Sequence, residues 1–158
     1  MQIQNHFSWA RSKPYVIALG VCVWVALISI SLKKNPSTAE TEEKLIIMKA
    51  DMSALMAQGG KVLKSKENAK YGSALVYRSL YDEGWSSALV SKYEITLLRK
   101  NWEKVRGTSR RFCKDGILAE IISNSGTYNG QGTNFVSMLF DPTTIEECSK
   151  NSARSNGK

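Results

Sequence analysis

Leu80-Tyr81-Asp82-Glu83-Gly84-Trp85 and Leu97-Leu98-Arg99-Lys100-Asn101-Trp102 share a spacing that decides how the middle of this chain is read. Each closes an apolar, helix-like pattern with Gly or Asn, the residues that best adopt the left-handed position after a helix. Each then sets a Trp where it can pack back on the last turn. The spacing predicts a helix over Glu67–Glu83, using Ala74, Leu75, Tyr77, Leu80 and Tyr81. It predicts a second over Ala88–Lys100, capped by Ser86 or Ser87. Together they read as an αα-hairpin. Trp85 and Trp102 are assigned to its packing, with anchoring of a partner as their alternative role.

Upstream, Leu45, Met48, Met52, Leu55 and Met56 recur three to four apart and predict an amphipathic helix from Lys44. Thr38 or Thr41 would cap it, Glu40, Glu42 and Glu43 suit its positive end, and Gly59-Gly60 stops it. Downstream of Trp102 the pattern shortens to strands at Glu103–Val105, Arg110–Cys113, Ile117–Ser123 and Asn134–Phe140. Lys114-Asp115-Gly116 supplies a tight turn, and residues 124–133 read as a polar, glycine-rich loop. Asp141-Pro142 opens a short last helix ending near Cys148.

A third feature lies at the N-terminus. Residues 15–32 carry no charge over 18 positions. As a helix this run rises about 27 Å, against about 30 Å for a hydrocarbon core. Trp9 and Tyr15 precede it at interfacial depth. Lys33-Lys34 separate the run from the small residues Ser37-Thr38-Ala39, which argues for an uncleaved anchor over a removed signal peptide. Arg11 and Lys13 on one flank balance Lys33 and Lys34 on the other, so charge alone leaves orientation open.

The cysteines give orientation an independent vote. Cys22 falls in the apolar run as a small apolar residue, leaving Cys113 and Cys148 for the rest. His6, before the run, is the single histidine, and there is no CxxC pair. A zinc site and a His-activated thiol are both disfavoured. A Cys113–Cys148 disulfide, preferred over two free thiols, would imply an oxidising compartment.

These readings give an α+β fold: an N-terminal transmembrane helix, then a helical segment with the αα-hairpin packed on a small antiparallel sheet of three or four strands, and a short C-terminal helix. The domain boundaries are a cytoplasmic arm over 1–14, a signal anchor over 15–32, a linker over 33–43, an extracytoplasmic domain over 44–149 and a disordered tail over 150–158.

Charge supplies the functional expectation. The chain has 22 Lys and Arg against 14 Asp and Glu, a net of +8. Lys92, Arg99, Lys100, Lys104, Arg106, Arg110, Arg111 and Lys114 face only Glu94 and Glu103 within their stretch, a local net of 8 − 2 = +6. Such a patch attracts acidic protein or anionic headgroups. Nucleic acid is not expected, because no recognition motif accompanies the charge. No catalytic set, metal site or cofactor fingerprint is present in the sequence. The expectation is a non-catalytic protein of the bacterial inner membrane, crossing once, with its C-terminal domain in the periplasm. Its partners would be the lipid bilayer and envelope proteins with acidic contact surfaces, in a secretion or conjugation assembly. The alternative is an anchored immunity protein or inhibitor that neutralises a toxin or hydrolase.

Overall fold

Alternation of side chains, not helical spacing, governs the centre of the chain. The computed structural model describes residues 16–25, 35–108, 110–128 and 131–156. It divides the chain into two units after Asn35. In the first, residues 16–25 form a helix, α1, with exposed side chains. Among the described residues no helix is long and apolar enough to cross a membrane. Residues 15 and 26–32 of the predicted span, and the predicted arm over 1–14, lie outside the described residues.

The second unit runs α2 (Thr38–Met56), β1 (Val62–Lys70), β2 (Ser73–Tyr81), α3 (Ser87–Arg99), β3 (Glu103–Lys104), β4 (Arg111–Lys114), β5 (Ile117–Tyr128), β6 (Gln131–Phe140) and α4 (Pro142–Asn156). The six strands form one antiparallel sheet in the order β1-β2-β6-β5-β4-β3. The α+β class holds. The αα-hairpin does not: the predicted helix over Glu67–Glu83 is instead part of the β1–β2 hairpin. Its reversal is made by Tyr71 and Gly72, at φ 51° and 75°, with Lys70 opposite Ser73. Two successive positive φ values are what a two-residue hairpin turn of matching twist requires. From there Ala74, Val76 and Leu80 alternate into the core. Apolar residues in Ser73–Tyr81 fit both periods, and pairing with β6 on the side away from β1 selects the strand.

The same hexapeptide spacing therefore serves two ends. After α3, Asn101 sits at φ 64°, its N–H bonds the Leu98 carbonyl (3.1 Å) and the Trp102 N–H bonds the Leu97 carbonyl (3.1 Å). This is the expected helix-ending motif. After β2, Gly84 (φ 82°) instead helps close a turn in which the Trp85 N–H bonds the Asp82 carbonyl at 3.0 Å.

Other boundaries shift for local reasons. Ser37, not Thr38 or Thr41, caps α2, its hydroxyl accepting from the Glu40 N–H at 3.1 Å. Most of the predicted loop over 124–133 continues β5 and β6, past a register shift between Ile122 and Gly126. Asp141 caps α4 as read, accepting from the Thr143 and Thr144 N–H groups at 2.8 and 2.9 Å. That helix continues to Asn156, through most of the stretch read as a disordered tail.

The main core lies between one sheet face and α2 and α3. Met48, Met52 and Leu55 from α2 meet Leu89, Val90, Tyr93 and Leu97 from α3 over Val76, Phe112, Ile121, Val136 and Met138. The opposite face is covered at one end by α4, where Val105, Cys113, Leu118 and Cys148 form a second buried cluster.

Candidate binding surface

Two clamps hold α4 to the sheet. Cys113 on β4 and Cys148 on α4 form a disulfide with Cα atoms 5.4 Å apart, and both are buried. Alongside, Arg111 Nη1 and Nη2 grip the two Glu147 carboxylate oxygens at 2.7 and 3.1 Å. A two-pronged guanidinium–carboxylate pair fixes direction as well as distance. Arg111 Nε also lies 2.6 Å from Glu120, too misdirected for a hydrogen bond. A cavity of about 540 Å³ opens beside the clamps, lined by the disulfide with Glu40, Glu103, Lys114 and Asp115.

The patch expected over Lys92–Lys114 is brought together only in part, and much of its charge is spent internally. Asp51 of α2 is buried, and its carboxylate accepts from Trp102 Nε1 at 2.9 Å and Lys114 Nζ at 2.9 Å, with Lys100 Nζ 3.0 Å away. Burial, the largest influence, pushes the Asp51 pKa up, but hydrogen bonds from Lys114, Trp102 and Lys100 together outweigh it and hold the group below its ordinary 3.8. Glu94 collects Lys104 at 3.2 Å and Arg110 at 3.9 Å. Arg110 also donates to Ser123 Oγ at 2.6 Å, and Trp85 Nε1 donates to the same oxygen at 3.1 Å. Five of the eight cations are therefore committed within the domain. Lys92, Arg99 and Arg106 have no ion pair among the described residues. Of the two aromatic candidates, Trp102 is 2% exposed and committed to Asp51. Trp85 is half-buried, edge-on to Tyr93 at 6.0 Å.

Asp51 went unassigned in the sequence, yet it had a signal. It lies between Met48 and Met52 on the apolar stripe of α2, where an ionised carboxylate needs partners.

A second cationic row was hidden by the helical reading of its neighbourhood. In β1, Lys64, Lys66 and Lys70 pair across to Ser79, Tyr77 and Ser73, so all three project from one face. None has an ion pair among the described residues; Lys70 Nζ lies 4.8 Å from the Tyr71 ring centroid. On the same face Tyr77 and Phe135 stack obliquely at 5.5 Å, bordering a cavity of about 460 Å³. By contrast Glu67, on the other face of β1, pairs with Lys49 at 2.9 Å and with Arg78. Hydrogen bonds from Lys49 and then Arg78 hold Glu67 below its usual value.

Among the described residues no cluster of three or more His, Cys, Asp or Glu could hold a metal ion. No family model, characterised protein or solved structure matches this chain.

Proposed function

We propose that this chain is a membrane-tethered, non-catalytic binding protein of the bacterial envelope, its N-terminal apolar run holding a disulfide-stapled domain in the periplasm. The disulfide between Cys113 and Cys148 is the observation that carries this reading. Such bonds persist in oxidising compartments and are rare in the cytosol. The uncharged run over 15–32, next to a domain that begins at Pro36, supports the tether. A binding role is supported by how the polar groups are used. Asp51 and Glu94 knit elements together, Asp141 caps a helix, and Tyr93, pushed up to about 12 by burial, donates to the Gly59 carbonyl at 2.6 Å. Each has a structural task, while exposed cations remain free to meet an acidic surface.

The test is thiol alkylation in intact cells expressing the full chain, with and without reductant, combined with protease access from the periplasmic side. The expected result is that Cys113 and Cys148 take up label only after reduction and denaturation, and that periplasmic protease digests the domain. Labelling of both without reductant, or a domain sheltered from periplasmic protease yet cut after the inner membrane is opened, overturns the reading.

A further inference from the structure

Among the described residues, β1 is the long strand at an edge of the sheet. It is nine residues long, it ends the sheet, and its regular pairing with β2 runs from Lys64 to Lys70. The other edge, β3, has two residues. Along β1, alternate residues turn their backbone N–H and C=O groups away from β2, a ready template for another strand. Residues 64–68 are exposed without interruption.

We infer that the β1 edge receives an extended acidic segment of a partner protein as a seventh strand, carboxylates at alternate positions facing Lys64, Lys66 and Lys70. Charge complementarity selects this occupant. Residues two apart on a strand stand about 7 Å apart on one face, the repeat of acidic side chains on an incoming strand. Opposite charges across paired strands attract, and like charges directly opposite repel. A second copy of β1 would bring lysines against lysines. An acidic segment meets free ammonium groups while its backbone completes the open ladder, the mode in which main-chain bonds supply affinity and side chains supply selectivity. The inference deepens the binding role proposed above. Its readout is separate, because alkylation and protease access report tether and staple while amide exchange reports β1.

The experiment is hydrogen–deuterium exchange on the full chain in neutral detergent. The probe is a nine-residue peptide alternating Glu with Val or Thr. Controls are the same peptide with Lys for Glu, one with a central Pro, and polyglutamate. The expected result is a slowing of about tenfold or more confined to amides within 62–70, seen with the acidic peptide and lost in the triple variant K64E/K66E/K70E. These lysines are exposed, so the variant should keep wild-type exchange in β5 and β6; the Lys peptide should now protect its β1 amides. The inference is overturned if the acidic peptide leaves β1 exchange unchanged. It is equally overturned if the Pro peptide or polyglutamate protects as well, which would mean diffuse attraction. It also fails if anionic lipid vesicles protect β1 more strongly than the peptide, or if protection rises with protein concentration alone.

Discussion

Asp51 shows what a single charged residue does when it is set on an apolar stripe. Removing its carboxylate leaves the Trp102 N–H and two ammonium groups without their acceptor. Because Lys100 is 36% and Lys114 19% exposed, both can recover some hydration, which tempers the cost. Asp51→Ala is expected to lower stability by about 3 kcal/mol, read as a lower urea midpoint at unchanged slope, and Asp51→Asn by less because it can still accept from Trp102. The pH dependence follows from the lowered pKa. The unfolded chain binds this proton more readily than the folded one, so the contribution of Asp51 is complete above about pH 4 and is lost as pH falls through the folded value. Wild type should therefore lose stability more steeply than Asp51→Asn below about pH 4, measured by chemical denaturation at stepped pH. Flat, parallel profiles would exclude the ion cluster as a source of acid lability.

At the scale of elements, the β1–β2 turn and the α4 staple are the two devices that shape the sheet. Tyr71 is 90% exposed and takes a left-handed conformation that Asn adopts more readily. Tyr71→Asn should stabilise the domain by about 0.5 kcal/mol or slightly more. Gly72→Ala should destabilise it by about 1–2 kcal/mol, because φ is 75° and the new Cβ would stand 2.8 Å from the Pro36 carbonyl oxygen. Thermal unfolding of both variants, compared at the wild-type midpoint, checks the pair. The staple closes a 35-residue separation, for which loop-closure entropy suggests roughly 3–4 kcal/mol. Cys113→Ser with Cys148→Ser is expected to show that loss in urea and to raise amide exchange first in α4, while β2 and β6 stay protected. Uniform acceleration across the sheet would mean that α4 and the sheet open as one unit.

For the whole molecule, the distribution of free charge matters more than its total. The net of +8 and the local +6 over Lys92–Lys114 direct attention to the second half of the domain. Folding brings Asp51, Glu120 and Glu147 to that patch, and together with Glu94 from within it these four carboxylates engage five of its cations. Reversing Arg110 and Arg111 is therefore expected to weaken the domain itself, because Arg111 clamps α4 and Arg110 holds Glu94 and Ser123. A loss of stability of at least about 1 kcal/mol, read as a lower urea midpoint, with little change in binding by the protein that remains folded, is the expected outcome. Lost binding at unchanged stability would restore that patch as the contact surface.

Short-range chemistry was legible from the residues alone. The Asn101–Trp102 helix ending, the Asp141-Pro142 helix start, the Asp115-Gly116 reversal and the Met48–Leu55 stripe each depend on a few neighbouring residues, and each stands where the pattern places it. The Cys113–Cys148 bond could be anticipated because only two cysteines remained outside the apolar run. Only the tertiary structure decided that Ser73–Tyr81 is a strand. Its apolar residues satisfy periods of 3.6 and 2 alike, and pairing with β6, itself paired with β5, selects the second. Only the tertiary structure, too, decided which lysines are free, because ion pairs such as Lys114 with Asp51 join residues 63 positions apart. Coulomb attraction acts through space, and the linear order of charges does not contain that distance.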